Sequence, residues 1–249
     1  MDITGNTILI TGGGTGIGRA LAEALHARGN KVIVSGRRAS ALEEVAAANP
    51  GIATATLDVA DAADIARFAR EIVAVHPALN VVIHNAGIMQ AETLIAPGSD
   101  LAIAEATIAT NLLGPIRLNA ALLPHLLAQP KATVATVSSG LAFVPLTATP
   151  TYSATKAAIH SWSQSLRHQL KGTSVEVIEI APPAVATDLM PGHAQNPNSM
   201  PLADYIAETM AQFEAGAAEN LTERVKFLRF AEARGDYAQV FAILNDGTH

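Results

Sequence analysis

The sequence predicts an α/β fold, a single domain over 1–249 built on a doubly wound parallel sheet of six strands, with a helical tail at the C-terminal end. Three observations predict it. Short apolar runs alternate with stretches of helical period from Thr7 to Ile180 without a break in composition. The first run opens directly into a glycine-rich turn, T-G-G-G-T-G-I-G, over Thr11 to Gly18. Of the 249 residues 49% are hydrophobic and only 15% charged, which supplies one substantial core and excludes a disordered chain.

Thr7 to Ile10 has the composition of a short buried strand. After the glycine turn, Ile17, Ala20, Leu21, Ala24 and Leu25 recur at helical spacing, the stripe of a helix that packs on a sheet. Strand, glycine turn and helix in that order let the backbone approach a pyrophosphate and aim the free N–H groups of the helix start at its charge. Gly12, Gly14, Thr15, Gly16, Ile17 and Gly18 are the expected phosphate-binding positions, with Gly12, Gly16 and Gly18 critical. Lys31 to Ser35 reads as the second strand and runs into Gly36-Arg37-Arg38, where a site for NAD usually carries a carboxylate for the ribose 2′-hydroxyl. Glycine leaves room there, and two guanidinium forks suit a phosphate dianion. The strand end from Ser35 through Arg37 and Arg38 therefore points to NADP(H), with NAD(H) as the alternative.

Ala39 to Ala48 reads as a helix and Thr54 to Leu57 as the third strand, ending at Asp58-Val59, where Asp58 is placed to face an adenine amino group. A helix over Ala62 to Val75 leads to the fourth strand, Leu79 to Ile83. That strand ends in His84-Asn85-Ala86-Gly87, a second small-residue turn at the same sheet edge, with His84 expected to be packed rather than a ligand. Leu101 to Leu127 reads as one long helix in which Pro115, lacking an N–H, leaves the Asn111 carbonyl without its partner four residues on. Val134 to Ser138 is the fifth strand, and it delivers Ser139 at the C-terminal edge where open α/β sheets bind ligands. Tyr152 to Lys171 is a helix and Ser174 to Ile180 the sixth strand, leading into Ala181-Pro182-Pro183-Ala184-Val185-Ala186-Thr187. The segment 188–216 contains no Lys or Arg and reads as a substrate lid, a loop entering a short helix. The remainder, 217–249, is expected to be a helical extension, with an amphipathic helix over Leu221 to Arg234 and a closing segment from Asp236 that fits either strand or helix and is read as helix.

Tyr152 and Lys156 stand four apart, so their side chains leave the same helical face. A free phenol titrates at about 10. A nearby ammonium favours the phenolate, and Lys156 is expected to draw the Tyr152 value toward neutrality, where it exchanges protons readily.

Several function classes are excluded. The net charge of −6, with scattered lysines and arginines, offers no basic field for nucleic acid or anionic lipid. With no cysteine there is neither a disulfide nor a thiolate metal site, and no metal is expected. The N-terminus has no basic segment followed by a long apolar run, and no stretch is apolar enough to span a bilayer, so a soluble cytoplasmic protein is expected.

T-G-x-x-x-G-x-G at Thr11 to Gly18, N-A-G at Asn85 to Gly87, and Asn111, Ser139, Tyr152 and Lys156 in that order resemble the short-chain dehydrogenases/reductases of the compact single-domain type. The resemblance covers about Thr7 to Thr187. It implies a Rossmann-like fold and hydride transfer between a nicotinamide cofactor and a ketone or aldehyde, or the corresponding alcohol. Tyr152 would be the general acid/base, Ser139 would bond the carbonyl oxygen, Lys156 would hold the nicotinamide ribose, and the Asn111 carbonyl would hold a relay water. Val59, Asn85, Ala86, Gly87, Pro182, Val185 and Thr187 would line the cofactor. A homodimer or homotetramer is also implied. Pro182-Pro183 replaces the frequent Pro-Gly, and the V-x-x-V-D-G-G seventh strand is missing; this variant resembles a bacterial, DltE-like branch of the family. A nucleotide-sensing protein on the same fold would keep the glycine turn and lose the tyrosine or lysine, which this chain retains. Walls drawn from the segment after Ser139, with Phe143, and from the lid, with Met190, Met200 and Phe213, carry no cation, so a neutral, mainly apolar carbonyl substrate is expected.

Overall fold

The computed structural model describes residues 1–95, 101–190 and 192–246. Its centre is a parallel sheet of seven strands in the order β3-β2-β1-β4-β5-β6-β7. In chain order these are β1 (Thr7–Thr11), β2 (Lys31–Gly36), β3 (Ala53–Thr56), β4 (Leu79–His84), β5 (Ala132–Val137), β6 (Val175–Ala181) and β7 (Glu219–Leu221). The helices are α1 (Gly16–His26), α2 (Ala39–Ala48), α3 (Ala62–Val75), α4 (Ala102–Ile108), α5 (Gly114–Leu127), α6 (Pro150–Gln169), α7 (Leu202–Glu214), α8 (Glu223–Arg229), α9 (Ala231–Arg234) and α10 (Tyr237–Asp246).

The continuous apolar strands follow from double winding, because successive side chains point to opposite faces and both faces are covered. Ile8 and Ile10 of β1 join Leu21 and Leu25 of α1 and Phe213 of α7 on one face. Leu9 between them joins Phe68 of α3, Leu122 of α5 and Leu166 of α6 on the other. Among the described residues no helix is long and apolar enough to cross a membrane.

Four expectations are corrected. The sheet has a seventh strand: β7 pairs in parallel with β6, Glu179 opposite Glu219 and Ala181 opposite Leu221. Glu219-Asn220-Leu221 is too short and polar to read as a strand, and it is extended because β6 offers an open edge. The amphipathic helix accordingly starts later, at Glu223, and breaks into α8 and α9.

The long helix is also interrupted, by a π turn at Ala109–Leu113 in which the Gly114 N–H reaches the Ala109 carbonyl. Pro115 thereby falls in the first turn of α5, where a missing N–H costs nothing. Gly114 marks the close approach, since a Cβ there would lie 2.6 Å from the Val59 carbonyl oxygen.

The expected lid divides. Leu202–Glu214 is α7, whose Tyr205, Met210 and Phe213 are buried in the core beside α1, and Met200 is buried with them. Met200 and Phe213 therefore support the fold from beneath instead of walling a substrate pocket. Pro191 of this segment and 247–249 of the C-terminal extension lie outside the described residues.

Candidate active site

The C-terminal ends of β1 and β4 are tied into one unit by two polar side chains. The Thr11 hydroxyl accepts from the Asn85 and Ala86 N–H groups, both at 3.1 Å, and donates to the Ile83 carbonyl at 3.4 Å. Asn85 Nδ2 donates to the carbonyls of Thr11 (2.9 Å) and Gly12 (3.3 Å). Gly18 is demanded by this contact: a Cβ there would stand 2.3 Å from the Gly12 oxygen and 2.4 Å from Asn85 Nδ2. Gly12 itself has φ +66°, backbone that a side chain disfavours.

The glycine turn delivers the start of α1 uncapped. Thr15 occupies the cap position without a side-chain bond to the helix, and the first turn has no acidic residue. Unsatisfied N–H groups at a helix start, beside glycines that let a ligand approach the backbone, fit the pyrophosphate of a dinucleotide. Thr187 lies against the turn, 3.6 Å from where a Gly16 Cβ would be. At the far end of the cradle Arg37 and Arg38 are exposed, and neither has an ion-pair partner among the described residues. Ser35 is buried, and its carbonyl accepts from the Gly13 N–H at 3.1 Å. Asp58 accepts from the Ala60 N–H at 2.9 Å, and Val59 is buried under Gly114.

Beyond this cradle Asn111, Ser139, Tyr152 and Lys156 converge. Asn111 in the π turn accepts from the Ile88 N–H at 2.9 Å and donates to the Ile88 carbonyl at 2.8 Å. Its Nδ2 also reaches Thr155 Oγ1 at 3.4 Å, linking the turn after β4 to α6. Gly87 stands beside it, with a Cβ position 3.4 Å from Asn111 Oδ1. Ser139 follows β5, and its Oγ accepts from the Leu141 N–H at 3.1 Å, which leaves the hydroxyl hydrogen free to donate. Lys156 Nζ donates to the Val137 carbonyl at 2.7 Å and sits 5.4 Å from the centre of the Tyr152 ring. Pro182 presents its carbonyl to the Gly140 N–H at 2.8 Å, and Val185 turns its side chain into the core.

The electrostatics differ from expectation. Burial pushes the Tyr152 phenol up to about 12, with the neighbouring Ser139 hydroxyl acting in the opposite direction. Burial also lowers Lys156 to about 8. The expected shift of Tyr152 toward neutrality is therefore absent: the ammonium lies over the ring and bonds a carbonyl, and desolvation of a phenolate outweighs its attraction. Tyr152 is protonated at neutral pH. His84, buried behind the turn with both ring nitrogens unpartnered, is lowered to about 4 by burial and is neutral.

A model of the short chain dehydrogenase family matches residues 6–198. The chain belongs to the short-chain dehydrogenase/reductase family. It is 40% identical to an uncharacterized oxidoreductase, DltE, of Bacillus subtilis, over 98% of this chain and 98% of that one. It is 32% identical to dehydrogenase/reductase SDR family member 7B of Bos taurus, over 73% of this chain but only 58% of that longer protein. Among solved structures it resembles a short-chain dehydrogenase from Burkholderia cenocepacia in complex with NADP, with a TM-score of 0.84 and 25% identity over 98% of this chain and 99% of that one.

In this short-chain dehydrogenase/reductase, an oxidoreductase, reasoning from the sequence passed over Thr11. Its signal was present: a hydroxyl residue ending a buried apolar strand at the ligand edge. The lowered Lys156 value has a thermodynamic consequence. Below about pH 8 the folded dehydrogenase carries a buried ammonium, and between 8 and 10.5 it has lost a proton that the unfolded chain still holds. Stability therefore rises with pH across that window. Urea unfolding of wild type and Lys156→Met at pH 7 to 10 is expected to show the wild type gaining up to about 3 kcal/mol on the variant; a difference that is flat with pH refutes it.

Proposed function

We propose that this short-chain dehydrogenase/reductase is an NADP(H)-dependent reductase of a neutral, mainly apolar ketone or aldehyde, and in reverse an NADP-dependent dehydrogenase of the corresponding alcohol. The observation that carries the reading is a protonated, buried phenol, Tyr152, hydrogen-bonded to the Ser139 hydroxyl, next to an uncapped helix start suited to a dinucleotide.

The bound nicotinamide supplies or accepts the hydride. The chain's own groups do the rest. Ser139 donates its hydroxyl hydrogen to the substrate oxygen and orients it. Tyr152 gives its phenolic proton to that oxygen as negative charge develops, the work of a general acid. Lys156, protonated below about pH 8, steadies the phenolate that remains. Asn111, its side chain fixed on Ile88, presents its main-chain carbonyl to a relay water. Gly12, Gly14, Thr15, Gly16, Ile17 and Gly18 receive the pyrophosphate, and Ser35, Asp58, Val59, Ala86, Gly87 and Thr187 border the dinucleotide. Asn85 acts at one remove, by holding the two turns together. Two exposed arginines without an ion-pair partner among the described residues, Arg37 and Arg38, favour a 2′-phosphate, and the NADP complex of the similar Burkholderia protein supports the same choice.

The substrate follows from the charges around the site. Phe143, in the segment after Ser139, has a cation over its ring, the Arg229 guanidinium at 4.8 Å. That guanidinium is spent, however, donating to Glu219 at 2.6 and 3.3 Å. An anionic substrate thus loses hydration without gaining a partner. For a neutral aryl or alkyl ketone and its carboxylated analogue, kcat/KM is expected to favour the neutral compound by about tenfold or more. A preference for the anion overturns the reading.

A further inference from the structure

Helix α6, which carries Tyr152 and Lys156, is fastened to the sheet by polar contacts at almost every turn. Lys156 bonds the Val137 carbonyl at 2.7 Å, Ser163 Oγ meets Thr136 Oγ1 at 2.7 Å, and Arg167 Nε donates to the Val177 carbonyl at 2.9 Å. The remaining rivet is of another kind. His160 Nδ1 lies 2.9 and 2.8 Å from the two oxygens of Glu179 on β6, a side chain with no solvent exposure. The same carboxylate accepts from Ser138 Oγ at 2.5 Å.

From this geometry we infer that Glu179 and His160 are positioning residues for the reaction, an inference that rests on the roles proposed above for Ser139 and Tyr152. One arm of the buried carboxylate ends on Ser138, the neighbour of Ser139. The other ends on His160, one turn beyond Lys156 and two beyond Tyr152 on the same helical face. A single carboxylate thus sets the strand end and the helix relative to each other. It does so rigidly, because a buried carboxylate that loses a donor is costly, so few other arrangements of strand and helix compete.

The surrounding groups reinforce this arrangement. The Phe143 ring packs edge-on against the His160 imidazole, with centroids 4.8 Å apart. The other charged groups here are Glu219 and Arg229. The ligand atoms of His160, Glu179 and Glu219 fall within 4.8 Å of one another, but Arg229 already holds both Glu219 oxygens, so the cluster is a hydrogen-bonded ionic network.

The test uses His160→Leu, which removes the donor, and His160→Asn, whose amide nitrogen stands where Nδ1 stood. Two readouts are taken. The first is amide hydrogen exchange at Leu141 in cofactor-free protein, because that N–H is bonded to Ser139 Oγ and reports its placement. The second is kcat and the KM for NADPH with a neutral ketone. His160→Leu is expected to speed Leu141 exchange and lower kcat, each by about tenfold or more, with KM for NADPH within about twofold. His160→Asn is expected to recover most of both. Glu179→Gln, which keeps the volume and the acceptor for Ser138, is the second variant and is expected to shift both readouts in the same direction as His160→Leu. Wild-type exchange and kcat in His160→Leu overturn the inference, as does a loss that His160→Asn fails to recover. If the wild-type protein reduces no carbonyl compound, the proposed function fails instead, and the exchange measurement alone decides the positioning.

Discussion

Tyr152→Phe is expected to lower kcat for carbonyl reduction by about 10²–10⁴-fold, the usual contribution of a positioned general acid, while leaving KM for NADPH nearly unchanged. The ring stays and only the hydroxyl goes, so packing around this buried side chain is preserved. The phenol is raised to about 12 by burial and so enters the reaction protonated. Phenylalanine in its place removes the proton and not the shape, and the variant should unfold at the wild-type temperature or above. Single-turnover oxidation of bound NADPH measures the chemical step directly. Retention of more than about a tenth of the wild-type rate would mean that another group delivers the proton.

Arg37→Ala and Arg38→Ala are expected to reduce kcat/KM with NADPH by about tenfold to a hundredfold each, the worth of a charge-assisted hydrogen bond to phosphate. The value with NADH should barely move, because NADH lacks the 2′-phosphate these forks would meet. Both guanidiniums are exposed and have no ion-pair partner among the described residues, so their removal breaks no ion pair there. The assignment of NADP(H) is lost if the NADPH-to-NADH ratio of the double variant equals that of the wild type.

Much of the fold was legible because it depends on local patterning. Five of the first six strands are short, mostly apolar runs, β3 being the alternating Ala-Thr-Ala-Thr, and all six stand within a residue or two of where the sequence pattern placed them. The final helix, Tyr237–Asp246, also forms as expected. The glycine turn was legible for a related reason: Gly12 needs positive φ and Gly18 has no room for a Cβ, requirements that leave only one residue type.

The features that escaped depend on partners distant in sequence. Glu219-Asn220-Leu221 has little strand character of its own and becomes β7 because β6 presents free backbone groups to it. The π turn arises where Gly114 is pressed against Val59, a contact between segments far apart in the chain. The Tyr152 value was misjudged because spacing tells which groups are near one another but not how deeply they are buried; Lys156, four residues away, spends its donor on Val137.

The sequence by itself determined the alternating α/β architecture and the glycine turn after the first strand, since these follow from periodicity and from glycine sterics. Tertiary structure alone decided the seventh strand, the upward shift of the Tyr152 phenol, the burial of Met200 and Phe213 in the core, and the Ser138–Glu179–His160 bridge. Each of these depends on desolvation or hydrogen bonding between segments that only folding brings together.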